Sequence, residues 1–322
     1  MLSDRALSLL VLMTRECPFS CVSCAMHRGP SAISRENLRR GVDLLLQEEG
    51  SLELQFFGGE PLLEYDLVRE AAAEAAELAV ERGRRLTMVV TTSLLPLTSE
   101  RACELAALGV EFLVSLDGEL SVHSRQRPSR AGEYPWELIQ RHLDGLLLSG
   151  AAYTVNMVVR PESVESLPAG VSFLLGRGVR RFQFAYALGV EWGQERMAAF
   201  ETALTRADAL CSEKGADVLN RRGAPEPVLI DGQLVLDVDG ELSVGCWTVL
   251  ETVFPDLRRA FARGPVSAAR RLPVDARSPR EQLERLLSAA RTPGERRIML
   301  DNVDLGRRMA RFWAREEAAR AR

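Results

Sequence analysis

Short apolar runs alternate with helix-spaced apolar positions along the first 190 residues of the chain. "LSLLVLM" (7–13) is apolar almost throughout, as expected of a strand buried on both faces. In "ISRENLRRGVDLLLQEEG" (33–50) the period changes. Leu38, Val42, Leu45 and Leu46 recur at i, i+4, i+7 and i+8, Ser34 offers an N-cap and Gly50 a stop, which predicts a helix. "LELQFF" reads as a second strand, followed by an Ala/Glu-rich helix over 63–82 ended by Gly83. "LTMVVTT", "VEFLVSLDG", "YTVNMVV" and "RFQFAYA" read as four more strands, with helical stretches near 98–107, 135–149 and 164–175.

Six strands alternating with helices predict an α/β fold with a parallel sheet. The pattern suits an open or partial barrel as well as a doubly wound sheet, and periodicity does not choose between them. In both, functional groups belong in the loops at the carboxyl ends of the strands. After residue 190 the pattern changes. Residues 194–214 read as a long helix, and "VLIDGQLVLDVDGELSVGCW" as a β-meander with turns at Asp231-Gly232 and Asp239-Gly240. Residues 256–322 read as Arg-rich and mostly helical, with the Pro/Ser/Arg-rich stretch 264–281 as a mobile linker. The expected division is therefore 1–190 and 191–322.

The balance of 41 basic and 45 acidic residues leaves a net charge of −4, which argues against nucleic acid or an anionic membrane as partner. Lys214 is the single lysine, and the arginines are spread along the chain and not gathered into a patch. "ALSLLVLM" (6–13) is too short to span a bilayer and lacks a signal-peptide cleavage site, so a cytoplasmic protein is expected. Because the chain opens on strand 1, no N-terminal recognition domain is expected.

Directly after strand 1, "TRECPFSCVSCAMHRG" places Cys17, Cys21 and Cys24 at C-x3-C-x2-C spacing. Thiolates select zinc, Cu(I) or iron–sulfur clusters. Structural zinc wants four ligands, and no second C-x2-C pair exists; His27 keeps a Cys3His zinc-binding interaction module open as an alternative. A cubane 4Fe–4S cluster takes four ligands. Three thiolates leave one iron open to another ligand. Of the remaining cysteines, Cys103 and Cys211 fall in helical patterns and read as packing residues.

This loop resembles the signature of the radical S-adenosylmethionine (SAM) enzymes, and further motifs follow in order. After strand 2 stands "FFGGEPLL", in which Gly58 and Gly59 permit close backbone approach, Glu60 offers a carboxylate to an ammonium and Pro61 fixes the exit. After strand 4, "VSLDGELSVHSRQRP" is similar to a stretch of the peptide-modifying subgroup that includes anaerobic sulfatase-maturating enzymes. The resemblance implies a partial (β/α)6 TIM-like barrel, one 4Fe–4S cluster on the three cysteines, and SAM chelating the open iron. It implies SAM contacts from Gly58, Gly59, Glu60, Pro61, Ser115 and Arg127, and more loosely from Asn156 and Leu188, for which a structural role is equally open. Strand 3 ends "TTS" where the family often has T-N-G, leaving the ribose contact there unassigned.

Ser124 replaces the family's aspartate after His123, so His123 is given no catalytic role and reads as a solvated histidine. The implied chemistry is one-electron cleavage of SAM to methionine and a 5′-deoxyadenosyl radical, which takes a hydrogen atom from a substrate; the reductant would be a flavodoxin or ferredoxin. "DVDGELSVGCW" resembles the β-hairpin opening a SPASM or twitch extension, with Cys246 at its first ligand position, although Cys246 also reads as a small buried packing residue. No cysteine follows, so a cluster-free SPASM-like remnant, a β-hairpin plus helical extension, is expected over 191–322. The substrate is a peptide or protein side chain, or alternatively a small metabolite, or the chain is a degenerate metal-binding partner. Tyr186 and Trp192 are placed to line a pocket mouth, although aromatic residues there also serve as packing. No catalytic residue is assigned.

Overall fold

A computed structural model describes residues 6–222, 229, 232–245, 250–274 and 277–320. Strand β1 (Leu7–Thr14) is followed by α1 (Arg35–Gln47), β2 (Ser51–Gly58), α2 (Tyr65–Glu81), β3 (Arg85–Thr92), α3 (Ser99–Ala107) and β4 (Val110–Ser115). Then come α4 (Leu120–Gln126), α5 (Trp136–Ser149), β5 (Tyr153–Val159), α6 (Leu167–Gly176), β6 (Arg181–Tyr186) and α7 (Gly193–Glu213). All six expected strands are present. Ser34 caps α1 by accepting the Asn37 N–H, and Thr98 caps α3 by accepting that of Arg101.

Strands β1 to β6 pair in sequence order, all parallel, and the two-residue β7 (Asp217–Val218) extends that edge. Beyond β1 lie β8 (Leu234–Leu236), β9 (Glu241–Val244) and β10 (Ala262–Pro265). The ten-stranded sheet is not closed: its order is β10-β9-β8-β1-β2-β3-β4-β5-β6-β7. This is a partial α/β barrel.

Side chains of β1 divide between two faces as the pleat requires. Leu9, Val11 and Met13 join the large core under the helices, whereas Leu10 and Leu12 pack on the opposite face with Met26 and Val235. Strand β2 buries one face only: Leu52, Leu54 and Phe56 are buried while Glu53, Gln55 and Phe57 are half-buried. A concave face left unfilled at the carboxyl ends of these strands is where a ligand can enter.

The second half departs from expectation in three places. First, β8 and β9 form the expected hairpin with its turn at 238–240, but β8 also adds to β1 in parallel, Leu9 opposite Leu234 and Val11 opposite Leu236. The turn expected at Asp231-Gly232 involves Asp231, which lies outside the described residues, as does Cys246. Secondly, 256–322 is mostly helical as expected but also carries a strand that was not, β10, antiparallel to β9. Thirdly, the stretch read as a linker is anchored: Val266 and Leu272 are buried, and the Val266 N–H bonds the Gly240 carbonyl at 2.8 Å. Its Pro, Ser and Arg content masks those two apolar anchors.

Among the described residues, three further helices follow α7: α8 (Leu257–Phe261), α9 (Pro279–Ser288) and α10 (Pro293–Arg320). On α10 the fully buried Asn302 accepts the Gly189 N–H at 2.8 Å through Oδ1 and donates from Nδ2 to the Val190 carbonyl at 2.7 Å. Asp301 accepts the N–H groups of Trp192 and Gly193 at the start of α7. The end of the chain thereby fixes the loop after β6. No helix among the described residues is long and apolar enough to cross a membrane.

Candidate functional site

One cavity of about 240 Å³ opens at the carboxyl ends of the strands. Alternation along the strands aims Phe57, Leu113, Ser115, Asn156, Val158 and Tyr186 into it, and the cysteine loop closes one side. Of the residues singled out in the sequence, Cys17, Cys21, Cys24, Gly58, Gly59, Glu60, Ser115, Arg127, Asn156 and Leu188 all line it. Pro61 does not; it is buried as the first residue of the 3₁₀ turn Pro61–Glu64. Tyr186 reaches the cavity, but Trp192 is a packing residue, tilted against Phe200 and donating from Nε1 to the Ala187 carbonyl.

Two neighbouring segments hold the cysteine loop in place. The Ser20 N–H bonds the Pro128 carbonyl at 2.8 Å, Val22 N–H bonds Gln126 at 2.9 Å, and Arg130 N–H returns to Pro18 at 2.9 Å. The GGEP segment packs on the approach to Cys17, with Gly59 N–H on the Thr14 carbonyl and Glu60 N–H on the Glu16 carbonyl, both at 2.8 Å. A Cβ on Gly59 would lie 2.1 Å from the Glu16 oxygen, and one on Gly58, at φ +129°, 2.4 Å from that of Thr14. The close approach these glycines permit is therefore to the chain's own backbone.

The Glu60 carboxylate is buried and already engaged. Oε1 accepts from Leu62 N and Thr92 Oγ1, and Oε2 from Ser93 N at 2.8 Å and Ser93 Oγ at 2.5 Å. Burial pushes its carboxyl above the ordinary range, against the pull of those donors. Thus "TTS", unassigned in the sequence, is the cradle of Glu60.

Arg127 is likewise paired within the protein. Its Nε donates to Asp117 Oδ2 at 2.7 Å and its Nη2 to Oδ1 at 3.0 Å, a bidentate fork, while Asp117 Oδ1 also accepts the Val158 N–H at 3.0 Å. Burial alone would raise the Asp117 carboxyl. The Arg127 guanidinium outweighs it and holds the group well below the usual carboxylate range. Asp117 was passed over in the sequence; the available signal was a carboxylate directly after a buried strand.

His123 is not solvated. It is 1% exposed, its Nδ1 accepts the Asp117 N–H at 3.2 Å, and Tyr134 and Trp136 pack around the ring. Burial lowers its pKa, with Asp117 pulling up and Arg127 pushing down, so the imidazole is held neutral. Its folded pKa lies below the unfolded value of about 6.5, so the associated stability is complete above that pH and is lost as the pH falls. Unfolding by urea should therefore show wild-type stability declining between pH 7 and 5 by up to about 1.4 kcal/mol per pH unit from this group. His123→Gln should flatten that component, and an unchanged slope would show that His123 is not its source.

Cys211 is buried as expected; Cys103 is exposed on α3, contrary to its packing assignment, because its position faces away from the sheet. Burial pushes the Cys17 thiol up to about 12 and raises that of Cys21, which Arg127 opposes. Such thiols need added positive charge to ionise, and a cationic iron centre supplies it. Three soft donors on one cavity wall fit a three-thiolate cluster. Asn156 Oδ1, on the same cavity, is buried without a hydrogen-bond partner among the described residues, an acceptor suited to a donor on a bound cofactor. His27 is exposed and does not line the cavity, and no His, Cys, Asp or Glu group among the described residues is arranged to hold a single metal ion. Neither observation favours the Cys3His zinc alternative.

The fold and the site together are an open α/β sheet with three thiols lining a cavity at the carboxyl ends of its parallel strands. The sequence profile of the Radical SAM superfamily matches residues 11–171, half of the 322-residue chain, and the chain belongs to that superfamily. Over 209 residues it is 27% identical to PqqA peptide cyclase of Rhodopseudomonas palustris, covering 62% of this chain and 52% of the relative. Over 210 residues it is 30% identical to GTP 3′,8-cyclase of Rhodococcus opacus, covering 62% and 57%. The chain spans little more than half the length of these curated relatives.

Solved structures share the fold. They include the sulfatase-maturating enzyme anSMEcpe with bound AdoMet (TM-score 0.70, 17% identity, 82% of this chain and 78% of that one). Streptococcus suis SuiB bound to its precursor peptide SuiA superposes with a TM-score of 0.58 at 14% identity, over 77% and 61%.

Proposed function

We propose that this protein is a radical SAM enzyme that modifies a peptide or protein side chain. Cys17, Cys21 and Cys24 would hold one 4Fe–4S cluster, and Gly58, Gly59, Glu60, Ser115, Arg127, Asn156 and Leu188 would surround SAM. When bound, that cluster and SAM would supply the chemistry, one-electron reductive cleavage of SAM and hydrogen-atom abstraction from the substrate. The observation that carries this reading is that all three thiols line one cavity together with Gly58, Gly59, Glu60, Ser115 and Arg127.

The protein's own residues orient and exclude. Thr92 and Ser93 fix the Glu60 carboxylate toward the cavity, and Asp117 sets the plane of the Arg127 guanidinium, leaving Nη1 as its donor toward an anionic group. Phe57, Leu113 and Val158 supply apolar walls that keep water from a reactive radical. In this reading residues 191–322 form a SPASM-like remnant that follows the barrel of 1–190 in the chain, and the reductant is a flavodoxin or ferredoxin in a reducing compartment such as the cytoplasm.

Peptide substrates are favoured by the PqqA peptide cyclase relatives and by the SuiB fold neighbour; the GTP 3′,8-cyclase relative favours a small metabolite. A cell extract split into peptide-sized and metabolite-sized fractions separates these outcomes. With reconstituted protein, SAM and dithionite, peptide modification requires that the peptide fraction stimulate 5′-deoxyadenosine formation and that protease abolish the effect. Stimulation confined to the protease-resistant small-molecule fraction would replace the peptide reading with the metabolite one.

A further inference from the structure

We infer that Glu251, far along the chain from the cysteines, is a positioning residue that clamps both legs of the cysteine loop. Glu251 is 5% exposed. Oε2 accepts from Arg15 Nη1 at 2.7 Å and from the His27 N–H at 2.9 Å, and Oε1 accepts from Arg15 Nη2 at 2.9 Å. Arg15 precedes Cys17 by two residues and His27 follows Cys24 by three, so one carboxylate ties the entry and exit of the loop together.

Neighbouring bonds complete the clamp. Arg15 Nη1 also donates to the His27 carbonyl at 3.0 Å, and the Thr252 N–H donates to the Ala25 carbonyl at 2.8 Å. Arg15 Nη2 meets Asp237 Oδ2 at 2.6 Å. Asp237 reaches this position because it follows β8, and the parallel pairing of β8 with β1 puts both carboxyl ends at the same side of the sheet. With the bonds from Gln126–Arg130 on the other side, the thiol-bearing segment is held between two fixed walls.

A carboxylate is required at residue 251 because donors face both of its oxygens. An amide of the same shape must turn its NH₂ toward one arm of the guanidinium in either orientation, and in one of them toward the His27 N–H as well, placing donor against donor. Glu251→Gln therefore opens the clamp without changing volume, while Asp237 still pairs with the buried Arg15 and preserves the fold. The inference rests on the cluster-binding reading for its consequence, the geometry of the thiols, but not for the clamp itself.

The test is hydrogen exchange of residues 16–29 in metal-free wild type and Glu251→Gln, followed by iron release to a chelator and the electron paramagnetic resonance spectrum of the dithionite-reduced, reconstituted proteins. Exchange in this segment should accelerate about tenfold or more in the variant while helices α1 to α7 exchange as in wild type. Iron should leave faster, and the spectrum of the reduced cluster should broaden. Unchanged exchange over 16–29, or acceleration spread evenly over the chain, would overturn the clamp; should Glu251→Gln not fold, Glu251→Asp, which keeps the charge and shortens the reach, is read by the same criteria. Wild-type protein that takes up no cluster would instead sink the proposed function, and the metal-free exchange data would still decide the clamp.

Discussion

Cys21→Ala protein, reconstituted anaerobically with iron and sulfide, is expected to fall from about four irons per chain to near background, with loss of the visible absorbance of the cluster. Two thiolates cannot retain a cubane that three already hold with one iron open. The loop itself should survive the substitution. The N–H groups of Ser20 and Val22, on either side of Cys21, stay bonded to Pro128 and Gln126, so the deficit reports a lost ligand and not a collapsed segment. Cys103→Ala, on an exposed face of α3 away from the cavity, is the matched control and should keep full iron. Full iron in Cys21→Ala would assign the metal elsewhere.

The second large effect is expected from Asp117→Asn. Asp117 and Arg127 are 4% and 8% exposed and joined by two hydrogen bonds, and removing one partner leaves a buried guanidinium charge uncompensated. Loss of such a partner costs about 3–5 kcal/mol, a large share of a typical domain's stability of about 5–15 kcal/mol. The effect should depend on pH in a definite direction. Because the folded carboxyl is held below its unfolded value of about 3.9, its contribution is complete above that pH and lost as the pH falls through the folded value. Urea unfolding at pH 7 should therefore show the full difference between wild type and Asp117→Asn, and the difference should shrink below about pH 4. A difference under about 1 kcal/mol at pH 7 would mean that Arg127 finds another partner or solvent.

The strands β1 to β6, the helices between them other than the short α4, and the cysteine loop were legible in the sequence because each is a local pattern: apolar runs of strand length, period near four, or closely spaced thiols. Motif residues at successive strand ends could be expected to share a site because a parallel sheet brings its carboxyl ends together. What escaped was long-range. Leu234 lies beside Leu9, and Arg15 pairs with Glu251, 236 residues away; periodicity carries no information about such partners. His123 was misread because its aspartate partner comes before it, at Asp117, and not directly after it where the family motif places one. Strand β10, "ARGP", is too short and too rich in Gly and Pro to announce itself, and pairs only because β9 offers an edge.

The central claim is that the three-thiol cavity cleaves SAM by one-electron reduction. Anaerobic incubation of the reconstituted protein with SAM and dithionite, followed by chromatography for 5′-deoxyadenosine and methionine, tests it most directly. The account predicts that both products form in equal amounts with wild type and that neither forms with Cys21→Ala. Wild-type protein carrying its full complement of iron yet forming no 5′-deoxyadenosine would contradict it.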